Sequence, residues 1–378
     1  MIFKTLLIYF ASFGLSIWFA YLYQHSWQKK GYKEFTKIKK LFWHSLIIAP
    51  PVIISTIRYD VGTDFFSYVS IYNNINSLPF ETVWQYYGNE PMYLFLNKLA
   101  YFLFKNEWGI FFLSSLFIHF FLIRGLDYFK RDISIPIALF VYFMYLFSFG
   151  LNGIRQAIAM SITFYAIRFI LERKPVTYIS LIVFATLFHN TAIVCLILYI
   201  FVLGNKRLVS FTKNLIYYLL IIFTPVLLLY LMKFFAKLPI FYGYIHYISN
   251  LNLTLKFGFL IGIIPVLVFI FLYKNKILAI SKKYEVLIHL SFLVIPFRYI
   301  GYYVDWGHRM ASYIHMTYIV LVPLVIKSIN NKYEKFLVGS YYITYFLFIY
   351  FNDIIIKLHH DVFPFQSIFF SLSLLFLK

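Results

Sequence analysis

Long apolar segments recur along the whole chain and limit what it can fold into. They lie at about residues 2–24, 41–57, 108–126, 134–149, 152–171, 176–188, 190–204, 214–232, 257–273, 284–303, 310–328, 335–351 and 365–377. About 20 apolar residues in a helix cross the hydrocarbon core of a bilayer. Hydrophobic residues form 62% of the 378 residues and charged residues only 13%, too little polar surface for a soluble domain of this size. We predict an all-α polytopic membrane protein with about 12–14 transmembrane helices, because the alternating pattern of a membrane β-barrel is absent.

The chain is predicted to form one transmembrane domain over residues 1–378. Its start, MIFKTLLIYFASFGLSIWFAYLY, has no small-residue cleavage site, so we expect a retained first span and not a removed signal peptide. The single cysteine, Cys195, lies inside the apolar run TAIVCLILYIF. A disulfide framework is therefore not expected.

Lysine and arginine in the short loops predict the orientation of the spans. The first loop, Gln28–Lys40, carries six lysines and one glutamate, so the positive-inside rule places it in the cytoplasm. Alternation of the spans brings the other basic loops, FKRD, LERK, GNKR, YKNK with SKK, and NNKYEK, to the same side. The N-terminus is thus predicted outside and Lys378 inside.

One apolar segment, Pro91–Asn106, breaks this alternation. It is short and contains Asn97 and Lys98, and counting it as a crossing would invert the charge pattern of every later loop. We predict a re-entrant or interfacial helix that packs against protein, preceded by an outer loop, so that the two together fill residues 58–106. A hairpin of two short crossings is the alternative.

The net charge of +20 is less informative than the positions of the arginines. Lysine is abundant throughout and collects in the predicted cytoplasmic loops, so we expect no nucleic-acid partner. Five of the nine arginines lie on the predicted cytoplasmic side: Arg124, Arg131, Arg168, Arg173 and Arg207. The other four lie at or just below the predicted outer surface: Arg58, Arg155, Arg298 and Arg309.

The outer arginines have acidic residues and histidines on the same predicted side. These are Asp60, Asp64, Glu90, His189, Asp305, His308, His359, His360 and Asp361. A charge placed in hydrocarbon costs about 2.5–3.5 kcal/mol on insertion scales, so it normally faces a cavity or pairs with another charge. Guanidinium groups bind phosphate oxygens through charge-assisted hydrogen bonds. The outer arginines therefore predict an anionic partner such as a lipid-linked diphosphate.

Structural explanations exist for the same residues. Arg58 could close the outer loop by pairing with a carboxylate of that loop, and Arg155 could snorkel from a helix start. Arg298 and Arg309 could form a network within one outer turn. His189 could be a buried core histidine.

The remaining polar motifs are weaker signals. Glu90 could be an ordinary charge at a helix N-terminus. The His359–Asp361 triplet resembles metal ligands, but two adjacent histidines seldom bind one ion without a third partner, so no metal site is predicted. Four tyrosines could offer flat faces to sugars: Tyr59, Tyr68, Tyr86 and Tyr87.

Four short motifs occur in a fixed order in the first half of the chain. They are R-Y-D-V-G-T-D-F-x-x-Y at Arg58–Tyr68, E-P-M-Y-x-x-L-N at Glu90–Asn97, G-I-R-Q-A-I-A at Gly153–Ala159 and F-H-N-T-A at Phe188–Ala192. In this order and spacing the chain resembles the EpsG-like family, whose members are Wzy-type bacterial polysaccharide polymerases. The resemblance is close over about the first 200 residues and looser afterwards, through R-x-x-x-Y at Arg309–Tyr313 and the FPF before the last span.

The resemblance implies a GT-C-like glycosyltransferase of the bacterial cytoplasmic (inner) membrane, with its active site facing the periplasm or cell exterior. Such an enzyme transfers a growing glycan from undecaprenyl diphosphate to a lipid-linked repeat unit, making capsule, exopolysaccharide or O-antigen. Its expected partners are the undecaprenyl-diphosphate-linked oligosaccharide, membrane lipid, and chain-length regulator and flippase proteins. No cofactor is expected, and the enzyme is expected to be metal-independent, because the chain has no D-x-D motif.

This chemistry requires cations for the departing diphosphate and a base for the acceptor hydroxyl. We predict that the diphosphates are bound by Arg58, Arg155, Arg298 and Arg309. Further substrate-binding candidates are Asp64, Gln156 and His308. Asp60 is favoured as the base, with His189 and Glu90 as competitors.

Two other functions use similar features. A flippase or transporter of the lipid-linked oligosaccharide often shows internal repeats and charges near the membrane midplane, whereas this chain shows neither. A membrane O-antigen ligase or acyltransferase would use the same outer face. The sequence alone leaves this second alternative open.

Overall fold

A computed structural model describes residues 2–196, 199, 260, 262–301 and 305–369. The predicted span 214–232 lies outside the described residues, as do Arg207 and parts of the segments at 190–204, 257–273, 284–303 and 365–377. Two units make up the chain: residues 1–193 with 322–378, and residues 194–321. The single domain over 1–378 stays a prediction.

Helices form the first unit. They are α1 (Ile2–Lys29), α2 (Lys37–Ile57), α3 (Phe65–Ser77), α4 (Phe80–Tyr87), α5 (Pro91–Phe104), α6 (Trp108–Phe129), α7 (Ile135–Tyr145), α8 (Phe147–Asn152), α9 (Ile154–Leu171), α10 (Pro175–Thr186) and α17 (Lys332–Phe351). Short turns of 3-10 or π helix lie at Asn190–Val194, Asn352–Ile356 and His359–Asp361.

The described part of the second unit is also helical. It contains α11 (Ile264–Leu272), α12 (Lys274–Ile280), α13 (Glu285–Phe292), α14 (Val294–Gly301) and α15 (Asp305–His315). A 3-10 turn, Lys282–Tyr284, precedes α13. The next helix, α16 (Tyr318–Ser328), begins in the second unit and ends in the first.

Six helical stretches within the described residues are long and apolar enough to cross a membrane. They are Ile2–Lys29, Lys37–Ile57, Trp108–Phe129, Ile154–Leu171, Lys282–Gly301 and Gly307–Ser328. Helices α7 and α10 are apolar but shorter. The predicted class, an all-α polytopic membrane protein, is confirmed.

Prolines and capping residues determine where several helices begin. Pro91 and Pro175 occupy the first positions of α5 and α10, where their missing N–H groups would have had no helical partner. Asn331 caps α17 by accepting hydrogen bonds from the backbone N–H groups of Tyr333 and Glu334. These residues break an otherwise apolar sequence into separate elements.

The core of the first unit is built around the contact between α6 and α9. Gly125 of α6 lies against the ring of Phe164, which is 1% exposed, so a Cβ at position 125 would come within 2.7 Å of that ring. Helices α1 and α2 pack together, α2 also packs on α6, and α10 packs on α9. This packing determines the positions of the loops at both ends of these helices.

Contacts between loops define two ends of the first unit. One end is here called the Arg155 end, because Arg155 lies there in the first turn of α9. At this end the Tyr9 hydroxyl donates to the carbonyl of Val362 at 2.8 Å, and Arg58 pairs with Ser367 in a β-bridge. At the other, here called the Asp127 end, Lys130 lies 2.8 Å from the Glu34 carboxylate. The basic loops of the first unit that the positive-inside rule assigns to the cytoplasm lie at the Asp127 end.

Helix α5 covers the predicted re-entrant segment. Its 14 residues span roughly 21 Å at about 1.5 Å per residue, less than the hydrocarbon thickness of about 30 Å. Asn97 is fully buried and donates from Nδ2 to the Tyr93 carbonyl at 2.8 Å, whereas Phe102 on another face is 77% exposed. The short length and the protein-facing Asn97 support a re-entrant or interfacial helix, which stays a prediction.

Candidate active site

Two sequence motifs far apart in the chain meet at the start of α5. Helix α10 ends at Thr186, and the break that follows carries His189. The carbonyl of Leu187 in that break accepts a hydrogen bond from the backbone N–H of Met92 at 3.0 Å. Because this N–H lies in the first turn of α5, it has no partner within its own helix. The bond holds Glu90 of the E-P-M motif beside His189 of the F-H-N motif.

A third motif adds the cation. Gly153 separates α8 from α9, and a Cβ there would come within 2.9 Å of the Phe149 ring. The chain therefore turns tightly, and Arg155 occupies the first turn of α9. Its guanidinium group lies 5.9 Å from the centre of the Tyr93 ring, a distance at which a cation interacts with an aromatic face.

Glu90 joins the two other side chains. Its Oε2 accepts a hydrogen bond from Arg155 Nη1 at 2.5 Å, and its Oε1 lies 2.7 Å from His189 Nδ1. The side chains of Glu90 and His189 are each 11% exposed, and that of Arg155 is 37% exposed. The carboxylate is thus shielded, and the guanidinium group is accessible.

The electrostatics of this cluster fix the protonation of Glu90. Burial alone raises the pKa of Glu90, but the hydrogen bond from His189 and the charge of Arg155 outweigh it and lower this pKa below its usual value. An ionised carboxylate only accepts hydrogen bonds, so His189 must carry a proton on Nδ1. The Nε2 atom of His189 is buried and has no hydrogen-bond partner among the described residues.

A cavity of about 210 Å³ opens next to this cluster. Glu90 and Arg155 line one part of it, and Tyr86, Tyr87 and Tyr93 line another. Tyr86 is 68% exposed, so its ring is available to a ligand. The cavity therefore combines a cation, a carboxylate and aromatic faces.

A model of the EpsG family matches residues 41–367, most of the chain and all four motifs named above. The chain belongs to the EpsG family. No curated protein and no solved structure matches it. Membership of the EpsG family indicates a membrane polysaccharide polymerase-like role, and the matched residues include Glu90, Arg155 and His189.

Arg58 of this EpsG-family chain has a different environment from Arg155. It is 1% exposed, and its Nη1 donates to the carbonyls of Val61, at 2.8 Å, and Leu151. The guanidinium group lies 4.7 Å from the centre of the Phe111 ring. Burial lowers the pKa of Arg58 to about 10, which leaves it charged at neutral pH. The adjacent cavity, about 20 Å³, has room for about one water molecule, so these contacts favour a structural role.

The rest of the R-Y-D-V-G-T-D motif closes the outer loop. Gly62 has φ +99°, a conformation that favours glycine, and its N–H donates to the Asp361 carbonyl at 2.7 Å. Asp60 is exposed and does not line the 210 Å³ cavity. Asp64 is also exposed, and its backbone N–H donates to Asn152 Oδ1 at 2.9 Å. Of the three residues predicted as the base, Glu90 lines the 210 Å³ cavity and His189 contacts Glu90, whereas Asp60 does not line the cavity.

Gln156 follows Arg155 in the EpsG G-I-R-Q motif but lies inside the protein. It is 4% exposed. Of the tyrosines predicted to face sugars, Tyr86 and Tyr87 line the cavity, whereas Tyr68 is 4% exposed and close to Arg155.

The remaining predicted site residues lie in the second unit. Arg298 of α14 is half-buried, and its Nη1 is 3.5 Å from Nδ1 of His308 in α15. Gly301 and Gly307 let these two helices approach closely, because a Cβ at Gly307 would come within 2.4 Å of the Gly301 backbone. Arg309 is exposed. The structure thus brings Arg298 and His308 together.

Sequence reasoning did not single out Tyr93 or Asn152. Tyr93 is buried under Arg155, and Asn152 Oδ1 also accepts from the Thr63 hydroxyl at 2.6 Å. Tyr93 belongs to the quoted E-P-M-Y motif, so that motif could have identified it; no comparable pattern marks Asn152. Among the described residues, no group of three His, Cys, Asp or Glu side chains comes together as a set of metal ligands.

Proposed function

We propose that this EpsG-family protein is a metal-independent glycosyltransferase that polymerises undecaprenyl-diphosphate-linked repeat units at the outer face of the bacterial cytoplasmic membrane. One observation carries the proposal: Glu90 bridges Arg155 and His189 beside a cavity that has aromatic walls. The product is a capsule, exopolysaccharide or O-antigen chain.

The reaction needs no external energy source, because the donor carries its own leaving group. The bond between the sugar anomeric carbon and the diphosphate oxygen breaks, and a bond forms from that carbon to an acceptor hydroxyl oxygen. Undecaprenyl diphosphate leaves, and the hydroxyl proton passes to the protein. A cation must stabilise the departing diphosphate and a base must take the proton.

Arg155 is proposed to bind the departing diphosphate. Its Nη1 is bound to Glu90 and the guanidinium group also hydrogen-bonds Tyr68, but the side chain is 37% exposed, and a guanidinium fork has five N–H donors in all, so donors remain for phosphate oxygens. Within the second unit, Arg298 and Arg309 stay proposed diphosphate ligands and His308 a proposed substrate-binding residue. Arg58 is assigned to the scaffold of the outer loop because its environment is closed.

The Glu90–His189 pair is proposed to supply the base. Glu90 lies in the cavity wall, and its contact with Nδ1 at 2.7 Å orients the His189 ring. Tyr86 and Tyr87 are proposed as faces on which acceptor sugars stack.

A purified-protein assay with a defined undecaprenyl-diphosphate-linked repeat unit tests this function. The wild-type protein is expected to produce a ladder of longer lipid-linked glycans. Arg155→Gln is expected to slow chain growth by about 100-fold or more, the effect of removing one charge-stabilising donor in other enzymes. Arg173→Gln, which removes an exposed arginine, is the matched control and should keep the wild-type rate.

The double variant Glu90→Gln/Arg155→Gln guards against misfolding, because it removes both charges of the pair and leaves neither buried alone. Equal ladders from the wild type and from a folded Arg155→Gln protein would contradict the site.

A folded wild-type protein that moves the substrate across vesicles without lengthening it would be a flippase. Transfer of only preassembled chains to another acceptor would identify a ligase.

A further inference from the structure

A second cavity lies at the Asp127 end, away from the proposed active site. Its volume is about 280 Å³. Five cationic side chains line it, namely Lys40, Arg124, Lys130, Arg131 and Arg168, against two anionic ones, Glu34 and Asp127. The wall of the cavity therefore has an excess of three positive charges.

Both carboxylates are already bound to lysines. Asp127 forms ion pairs with Lys40 and with Lys130, the latter at 3.2 Å, and it also accepts a hydrogen bond from the Tyr23 hydroxyl. Glu34 pairs with Lys130 at 2.8 Å and is otherwise exposed. The lysines and carboxylates thus neutralise one another, and the positive excess belongs to the arginines.

No carboxylate in the described part of the chain pairs with Arg124, Arg131 or Arg168. Arg168 stacks 4.4 Å from the centre of the Phe169 ring, and its Nε is buried without a hydrogen-bond partner among the described residues. A buried guanidinium donor without an acceptor is costly, so this wall is arranged to receive an anion.

The position of the arginines indicates where the anion comes from. Arg124 and Arg168 lie inside two candidate membrane spans, within five residues of the ends of α6 and α9. At about 1.5 Å per residue they are roughly 5–8 Å from the helix ends, the depth of lipid headgroups. A neighbouring cavity of about 400 Å³ shares Lys130 and Arg131 with the 280 Å³ cavity and extends the positive surface to Lys327.

We propose that the 280 Å³ cavity binds the phosphate headgroup of an anionic membrane phospholipid. The guanidinium forks of Arg124 and Arg168 bind the phosphate oxygens, and the exposed Arg131 closes the site from the aqueous side. The positive-inside rule places this end in the cytoplasmic leaflet, so the proposed site lies in the leaflet opposite to the proposed chemistry. Basic pockets between transmembrane helices on that side are suited to lipid headgroups.

The test measures lipid binding to the purified full-length protein by native mass spectrometry, with thermal unfolding as a second readout. The probes are dioleoyl-phosphatidylglycerol, dioleoyl-phosphatidylcholine and inorganic phosphate. Wild-type protein is expected to bind phosphatidylglycerol at least about 10-fold more tightly than phosphatidylcholine, because both lipids carry a phosphate but only phosphatidylcholine also brings a trimethylammonium cation against a positively charged wall. Arg124→Gln/Arg168→Gln is expected to lose this preference.

Lys29→Gln/Lys33→Gln is the matched control, because it removes two exposed charges that do not line the cavity. The single variant Arg131→Gln covers a folding failure of the double variant, since Arg131 is exposed; it is expected to weaken binding about threefold, a partial loss of one charge-assisted contact. Equal affinity for the two lipids, or unchanged affinity in Arg131→Gln and in a folded double variant, would overturn the site. Inorganic phosphate that competes fully with phosphatidylglycerol at equal concentration would assign the cavity to a free anion and overturn the lipid.

Discussion

At the scale of single residues, two arginines that look alike in the sequence have different environments. Arg58 is enclosed by backbone carbonyls and the Phe111 ring, whereas Arg155 is paired with one carboxylate at the wall of a cavity. Both lie in family motifs, and both were candidates for binding diphosphate. The residues adjacent to each arginine in the sequence could not distinguish these two environments, because one partner of Arg58, Leu151, is 93 residues away.

A structural role for Arg58 predicts a large loss of stability in Arg58→Ala. The substitution leaves two buried carbonyls without their donor and opens a cavity, at a cost of roughly 3 kcal/mol or more. Thermal unfolding of the purified protein measures this loss, and Lys33→Ala, an exposed position, should change stability by less than about 0.5 kcal/mol. Normal stability of Arg58→Ala together with lost binding of undecaprenyl diphosphate would instead give Arg58 the ligand role predicted from the sequence.

At the scale of helices, the sequence predicts the long elements well and the short ones poorly. Thr36 caps α2, the polar residues 105–107 precede α6, and Gly153 precedes α9, so the predicted spans near 41–57, 108–126 and 152–171 correspond to helices. The segment 134–149, in contrast, divides at Leu146 into α7 and α8. Both sides of that break are apolar, so hydropathy carries no signal for it.

The contact between α6 and α9 predicts the effect of one substitution. Gly125→Ala places a methyl group against the packed Phe164 ring and should destabilise the protein by about 1–3 kcal/mol. Gly339→Ala in α17 is the matched control, because a Cβ there meets nothing within 4 Å and alanine favours a helix by about 0.5–1 kcal/mol. Thermal unfolding in detergent measures both. A Gly125→Ala protein as stable as wild type would show that the two helices are not packed this closely.

At the scale of the whole molecule, the motifs predicted which residues to examine but not how they meet. Glu90 is 65 residues from Arg155 and 99 from His189, and only the packing of α5, α9 and α10 brings them together. The sequence favoured Asp60 as the base because it lies near Arg58 in the chain. In the fold, Asp60 is exposed and does not line the cavity that Arg155 lines. Membrane class and family were predictable because they depend on composition and motif order.

Both proposed sites require that the Arg155 end faces out of the cell and that the Asp127 end faces the cytoplasm. Lipid-linked sugars would otherwise never meet Glu90, Arg155 and His189, and the proposed phospholipid site would lie in the wrong leaflet. Basic loops predict this orientation through their charge alone. Its direct test is the accessibility of single cysteines on the two ends.

Bacterial spheroplasts expressing Ser67→Cys or Lys33→Cys are treated with a membrane-impermeant maleimide, with the wild type as the blank because its only cysteine, Cys195, is 1% exposed. Both substituted positions are exposed, Ser67 in α3 at the Arg155 end and Lys33 in the first basic loop. We expect Ser67→Cys to react in intact spheroplasts and Lys33→Cys to react only after permeabilisation. Labelling of Lys33→Cys but not Ser67→Cys in intact spheroplasts would contradict the account.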